Sequence, residues 1–332
     1  MTRISILLVI AVCLAVLGMP GRPDAARAQE KIAIPTLTPP TLPAFLRRES
    51  PTAKVSGALV LPKGNGPFPA MVLLHGSGGL QGPSGANIKK WADTLNGWGI
   101  ATFTVDSFGP RKIGTTVTDQ GKLSSYADVA DGLAALKVLG ADSRIDRNRI
   151  GVMGWSRGGG ATINTALDTI RKILITDDLK FALHVVFYGP SELQNRDRAT
   201  DKSPMLFFHG ESDNYTKVGP TREFADWAQS QGNPVTFVAY PNTYHDFDVQ
   251  GGFSGFSKET ENFIKCDMVV DVSSGKVIRL NHVDNPDASV EKVRAYLASC
   301  PAHGANYAFN PTARADAVDK VHEFLKKHLQ AS

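Results

Sequence analysis

The chain has 332 residues, and its 36 Lys and Arg against 32 Asp and Glu give a formal net charge of +4 with no run of like sign. That balance points away from nucleic-acid or membrane-surface binding. The three cysteines have no metal-ligand spacing, and the length is that of one α/β domain with an insertion.

The first 28 residues read as a secretory signal. Arg3 supplies a positive start, residues 4–17 form an apolar core too short for a confident membrane span, and Ala26-Arg27-Ala28 is an A-x-A cleavage site before Gln29. Cleavage removes Arg3, Arg22 and Arg27 together with Asp24, so the remainder keeps a slight positive charge. It also removes Cys13 and leaves Cys266 and Cys300, an even pair expected to form one disulfide in an oxidising compartment. After cleavage no membrane association is expected.

Residues 29–49 hold Pro35, Pro39, Pro40 and Pro43, which predict an extended, polyproline-like arm without a helix. The domain proper is expected over residues 50–330. Residues 52–61 predict a first strand and residues 62–67 a turn. Residues 69–74 are a continuous apolar run, as in a strand buried on both faces. The run ends in His75-Gly76-Ser77-Gly78-Gly79, a loop whose glycines let backbone N–H groups approach a ligand. His75 is expected to brace that loop rather than react. A helix is predicted over residues 86–95, a strand over 99–105, and a helix over 124–139, where Val129, Leu133, Leu136 and Leu139 recur at helical spacing.

Residues 149–153 then form a short apolar strand leading into Gly154-Trp155-Ser156-Arg157-Gly158. In a strand–turn–helix context, G-x-S-x-G is the nucleophile elbow of an α/β-hydrolase. The serine sits on so tight a turn that its neighbours two positions either side must lack a Cβ. A helix is expected to continue from Gly159 to Asp168 through Ala161, Ile163, Ala166 and Leu167. Its N-terminus would direct free N–H groups at an anion on Ser156.

Further strands are predicted at 181–187, 205–208 and 234–240, with a helix at 219–231. Strands alternating with helices predict a mostly parallel central sheet with helices on both faces, the chemistry lying just past strand C-termini. Residues 249–308 break the alternation and read as an insertion before the last helix, with a hairpin around residues 273–276 and a short helix near 290–297. The insertion follows His245 by a few residues, so it is expected near the mouth of the site, where it would shape a substrate pocket. Residues 311–329 predict a closing helix, with Asn310 as its N-cap.

Ser156, Asp213 and His245 follow the α/β-hydrolase order of nucleophile, acid and base. A hydroxyl needs a base to lose its proton at neutral pH, and His245 follows the final strand of the sheet. Asp213 would hold the imidazole tautomer. The backbone N–H groups of Ser77 and Arg157 are the candidate oxyanion donors. Asp106, Asp177 and Asp178 compete for the acid. His75, His184, His209, His282, His303, His322 and His328 compete for the base.

Residues 75–79, 105–111, 154–159, 209–213 and 240–248 together resemble the dienelactone hydrolase family, roughly over residues 55–248 plus the last helix. The Tyr240-Pro-x-x-Tyr244-His245-x-Phe247-Asp248 pattern is the more family-specific part. The resemblance implies hydrolysis of a small carboxylic ester or lactone with no metal or organic cofactor. Dienelactone hydrolases proper use cysteine where this chain has Ser156, and the insertion is additional, so the expectation is the broader esterase reaction. Two other functions compete: a prolyl oligopeptidase-like serine peptidase, and a non-catalytic binding protein on a hydrolase fold. The chain lacks the N-terminal repeat domain of the former, and the complete Ser/Asp/His set argues against the latter.

Overall fold

The computed structural model describes residues 29–329; the expected signal segment lies outside them. The chain begins with β1 (Glu30–Leu37) and α1 (Leu42–Leu46), then β2 (Thr52–Val60), β3 (Phe68–Leu74), α2 (Gly82–Gly97), β4 (Ala101–Asp106) and α3 (Ser125–Gly140). The elbow region comprises β5 (Ile145–Trp155), α4 (Arg157–Thr165) and α5 (Asp168–Leu174). There follow β6 (His184–Phe187), β7 (Leu193–Arg196), β8 (Met205–Gly210), α6 (Val218–Ser230) and β9 (Val235–Tyr240). Residues between β9 and the last helix form β10 (Gly255–Asn262), β11 (Met268–Asp271), β12 (Lys276–Leu280), β13 (Val283–Asp284), α7 (Val290–Ser299) and β14 (Ala302–Tyr307). The last element is α8 (Pro311–Leu329).

Eight strands form the central sheet in the order β1-β2-β4-β3-β5-β6-β8-β9. The six from β4 to β9 run parallel, and β2 and β1 continue the edge antiparallel. Side chains alternate between two cores, as the pleat requires. Ala70, Val72 and Leu74 of β3 face one core with α3, α4, α5 and α6, while Met71 and Leu73 face the other with α2 and α8. The expected mostly parallel sheet with helices on both faces is therefore present, and the apolar run of β3 is buried on both sides.

Three local expectations differ from the structure. The proline-rich arm is extended as expected but forms a sheet strand instead of a polyproline-like segment: residues 30–37 pair along their whole length with β2, and Arg111 donates to Leu37 O and Thr38 Oγ1 while its guanidinium clasps Asp131. The arm also contains a helix, α1. Thr41 caps it through the Ala44 N–H, and Pro43 falls in the first turn, where a missing N–H costs nothing. The helix after the elbow ends at Thr165 instead of running to Asp168, because the backbone around Leu167 pairs with residues 199–201. The Asp201 N–H donates to Ala166 O and the Asp168 N–H to Ala199 O, which diverts the chain into α5.

Residues 255–307 build two small sheets. β10 pairs with β14, and the β11–β12 hairpin extends through β13 on one side and β7 on the other. β7 was not anticipated, since Leu-Gln-Asn-Arg has no strand signal and is held by its partner. Cys266 and Cys300 are bonded, tying the start of β11 to the end of α7. Arg279 bridges Asp267 to Glu223 on α6, which fastens the small sheet to the main body. Asn310 accepts the Ala313 N–H and caps α8. Among the described residues no helix is long and apolar enough to cross a membrane.

Candidate active site

Ser156 occupies the junction of β5 and α4 with φ 51° and ψ −121°, a left-handed conformation that costs a side chain about 1–3 kcal/mol. The surroundings hold it there. Its N–H donates to Phe187 O and its carbonyl accepts the Gly160 N–H. The flanking glycines are required sterically. A Cβ on Gly154 would lie 2.1 Å from Gly158 O, and one on Gly158 would lie 2.2 Å from Leu74 O. Strand and helix thus cross within backbone contact, and the serine is pushed out at the tip of the turn.

The structure brings Ser156, His245 and Asp213 together from three loops at the C-terminal end of the sheet. Ser156 Oγ lies 3.0 Å from His245 Nε2, and His245 Nδ1 lies 2.7 Å from Asp213 Oδ2. Neutral histidine in this arrangement donates its Nδ1 proton to the carboxylate, which leaves Nε2 to accept from the serine hydroxyl. Asp213 is fixed in turn by the N–H groups of Tyr215 and Thr216, both on Oδ1. The Thr216 hydroxyl lies within hydrogen-bond reach of Asp213 Oδ2, His245 Nδ1 and the Tyr188 carbonyl. The imidazole packs between Tyr188 and Tyr215, with ring centroids 4.5 Å and 4.6 Å away.

Electrostatics separate the two titrating partners. Burial disfavours an imidazolium at His245, but the Asp213 charge and hydrogen bond outweigh it, with Asp246 and Asp248 adding to them, and hold the pKa above the ordinary histidine value. Burial likewise opposes a charged Asp213, yet His245 and the hydrogen bonds keep that carboxyl below the usual range. The competing carboxylates serve elsewhere. Asp106 accepts from the N–H groups of Phe108 and Gly109, and Asp177 and Asp178 pair with Arg147 on the surface. Among the competing histidines, His209 donates to Thr216 O, His184 lies buried beside Asp201, and His322 stacks on Trp98.

The loop after β3 lies against the serine, since a Cβ on Gly76 would come within 3.2 Å of Ser156 Cβ. Peptide planarity sets the direction of its N–H groups. The Gly76 carbonyl accepts from Gly79 N–H at 3.0 Å and from His75 Nδ1 at 2.9 Å. The Ser77 N–H shares that peptide, so it points the opposite way. His75 Nε2 accepts the Ser107 N–H, which fixes the tautomer and gives this ring the bracing position expected of it. The same geometry governs Arg157. Its peptide carbonyl, that of Ser156, accepts from Gly160 along the helix, so its N–H points out of the helix N-terminus. The Arg157 side chain is buried on Asp128 at 2.6 Å and on Leu123 O, anchoring the first turn of α4 to α3.

A cavity of about 60 Å³ opens beside Ser156, room for a few waters or a small acyl group. Its walls include Trp155, Tyr188, Tyr215, Val249, Asp246 and Tyr307. Tyr307 comes from the end of β14 and pairs with the His245 backbone, so the insertion does reach the site. On the opposite side Glu261 of β10 accepts the Gln120 N–H, and Gln120 in turn contacts Ser77 Oγ and Tyr215 OH. Beneath the site Asp248 accepts four side-chain donors: Asn87, Trp91 and Trp155 on Oδ2, and Tyr188 OH on Oδ1. Sequence reasoning assigned no role to Asp246, Asp248, Tyr188, Tyr215, Thr216 or Tyr307. Asp246 and Asp248 stood inside a noted pattern, whereas nothing local to Tyr307 points to His245. Among the described residues no group of three or more His, Cys, Asp or Glu side chains is arranged to hold a metal ion.

Residues 55–262 match the family model described as the dienelactone hydrolase family. An uncharacterized 31.7 kDa protein in the traX-finO intergenic region of Escherichia coli is 26% identical over 193 residues, covering 57% of this chain and 64% of that protein. Esterase EstD of Thermotoga maritima is 35% identical over 108 residues, covering 31% of this chain and 24% of that protein. The chain thus spans less than two thirds of the length of these curated relatives. Among solved structures, the propionate-bound thermophilic esterase Est2 of Thermogutta terrifontis superposes with a TM-score of 0.48 at 18% identity, covering 60% of this chain and 82% of that one.

Proposed function

The chain belongs to the dienelactone hydrolase family, and from that premise we propose that it is an exported serine hydrolase that cleaves a small carboxylic ester or lactone through an acyl-enzyme. The observation that carries this is the continuous relay from Ser156 Oγ through His245 to Asp213, at 3.0 Å and 2.7 Å, built on a serine held at φ 51°.

In the first half-reaction His245 Nε2 takes the hydroxyl proton as Ser156 Oγ attacks the acyl carbon. The tetrahedral oxyanion is received by the Ser77 and Arg157 N–H groups, whose directions are set by the carbonyls across their peptides. His245 then returns the proton to the alcohol oxygen as the C–O bond breaks, leaving the acyl group on Ser156. In the second half-reaction water gives a proton to the same nitrogen as its oxygen attacks the acyl carbon, and His245 returns that proton to Ser156 Oγ as the acyl–Oγ bond breaks and the acid leaves. Asp213 stays ionised and keeps the imidazole oriented.

The Ser77 side chain, the Tyr215 hydroxyl and the Arg157 guanidinium all converge on Gln120, so the oxyanion loop, the acid loop and the elbow share one support. Export rests on the Ala26-Arg27-Ala28 motif and on the disulfide between the two remaining cysteines.

A fluorophosphonate probe tests the nucleophile. Wild-type protein is expected to label and to hydrolyse p-nitrophenyl acetate. Ser156→Ala is expected to lose labelling and on the order of 10⁴-fold or more in turnover. Undiminished labelling of that variant places the nucleophile elsewhere.

A further inference from the structure

Asp246 carries a carboxylate into the active-site cavity that the ester-cleaving relay does not use. Its Oδ1 lies 3.9 Å from His245 Nε2, on the face of the imidazole that meets the substrate. The backbone holds it there in a left-handed conformation, φ 57°, and its carbonyl accepts the Val249 N–H in the following turn. The side chain is 28% exposed, and its carboxylate is approached by the Tyr188 hydroxyl, which donates to Asp248. Asp248, two residues on, takes four donors and is wholly buried, so the contrast is one of placement and not of residue type.

The rest of the wall is chemically one-sided. Trp155, Tyr188, Tyr215 and Tyr307 line the cavity, and among the described residues no lysine or arginine does. Among the described residues that line it, Asp246 and His245 are the titratable groups besides the tyrosines. Aromatic faces attract cations through the ring quadrupole, and a nearby carboxylate adds a full opposite charge. Such a wall opposes a carboxylate on the substrate, because among the described residues no cationic side chain lines it to compensate the charge.

The relay fixes which part of the substrate meets Asp246. His245 Nε2 must return its proton to the alcohol oxygen, so that oxygen sits within hydrogen-bond reach of Nε2. A group 3.9 Å from the same nitrogen therefore flanks the alcohol side, while the oxyanion donors hold the acyl oxygen. We propose that the alcohol side of this site selects cationic, alkylammonium-type leaving groups over anionic ones, with Asp246 as the specificity-determining residue and the aromatic wall as the second contact. This rests on the ester-hydrolase reading above.

Three acetates that differ only in alcohol charge test it: acetylcholine, its neutral isostere 3,3-dimethylbutyl acetate, and the anion O-acetylglycolate. They are assayed at low ionic strength and about pH 8, where Asp246, pushed up to about 6 mainly by burial, is ionised. Wild-type kcat/KM is expected to rank cation, neutral, anion, with steps of about tenfold for partly screened charges a few ångströms apart. In Asp246→Asn, each ratio to the neutral ester is expected to shrink toward unity. Tetramethylammonium is expected to inhibit the wild-type enzyme competitively, a readout that needs no variant. Turnover of the neutral ester with no charge ranking, or a ranking that Asp246→Asn leaves unchanged, overturns the selection alone. Failure of all three esters together with failure of the probe to label Ser156 overturns the hydrolase reading and the selection with it.

Discussion

Asp248→Ala is expected to be among the costliest single changes in this protein, although Asp248 touches no substrate. The side chain is fully buried and receives the indole N–H groups of Trp91 at 2.9 Å and Trp155 at 3.0 Å, the Asn87 amide at 2.9 Å and the Tyr188 hydroxyl at 2.7 Å. Removing the acceptor strands those donors unequally. The tyrosine hydroxyl can rotate. The indoles have one fixed donor each and no alternative direction. The Asn87 amide is held in place because its oxygen accepts from Arg314. A buried donor left unmade costs about 1–3 kcal/mol, so the two indoles alone account for about 2–6 kcal/mol. Total stability for a domain is about 5–15 kcal/mol. Asp248→Asn separates charge from shape. Its amide oxygen can stand where three donors converge while its NH2 faces the rotatable hydroxyl, so only charge assistance is lost, about 1–2 kcal/mol. Urea unfolding with a shared m-value measures both. A loss under about 1 kcal/mol for Asp248→Ala, or a larger loss for Asn than for Ala, refutes this account of the hub.

Two further outcomes follow from the same geometry. With His245 as the proposed base, which acts in its neutral form, kcat/KM is expected to rise with pH through an acid limb centred above the ordinary histidine value of about 6.5, in the direction set by Asp213, Asp246 and Asp248 facing the ring. The protonated ring is correspondingly a stabilising group below its unfolded pKa, and that contribution is lost as pH rises through the folded value. A limb centred below the ordinary value, or one retained with full rate in His245→Ala, rejects His245 as the base. Cys266→Ser/Cys300→Ser opens a loop closed across 34 residues. This is expected to lower stability by about 3–4 kcal/mol in the chain-entropy model. Because β14 delivers Tyr307 to the cavity, the double variant is also expected to change preference among bulky esters more than the rate on p-nitrophenyl acetate. An equal loss on all substrates assigns the bridge to stability alone, and two alkylated cysteines in the unreduced protein reject it outright.

The elbow, the alternation of strands and helices and the Ser–Asp–His order were legible in the sequence because each is written in local constraints. Gly154 and Gly158 are dictated by contacts within one turn, the apolar run of β3 by burial on both faces, and Asn310 by the orphan N–H groups of α8. What escaped was decided by partners distant along the chain. Residues 30–37 read as an extended, polyproline-like arm, and become a strand because β2 offers them an unpaired edge. Residues 193–196 become a strand only beside β11, more than 70 positions later. The elbow helix stops short because residues 199–201 capture its end. The same holds for the supports of the site. Asp248 draws Asn87, Trp91, Trp155 and Tyr188 together across as many as 161 positions, and Tyr307 meets His245 through a backbone bridge. Sequence motifs record steric and hydrogen-bonding demands within a few residues of one another. Which side chains flank the imidazole, and with what charge, depends on how separate loops pack at one end of the sheet, and that is settled only when the whole chain has folded.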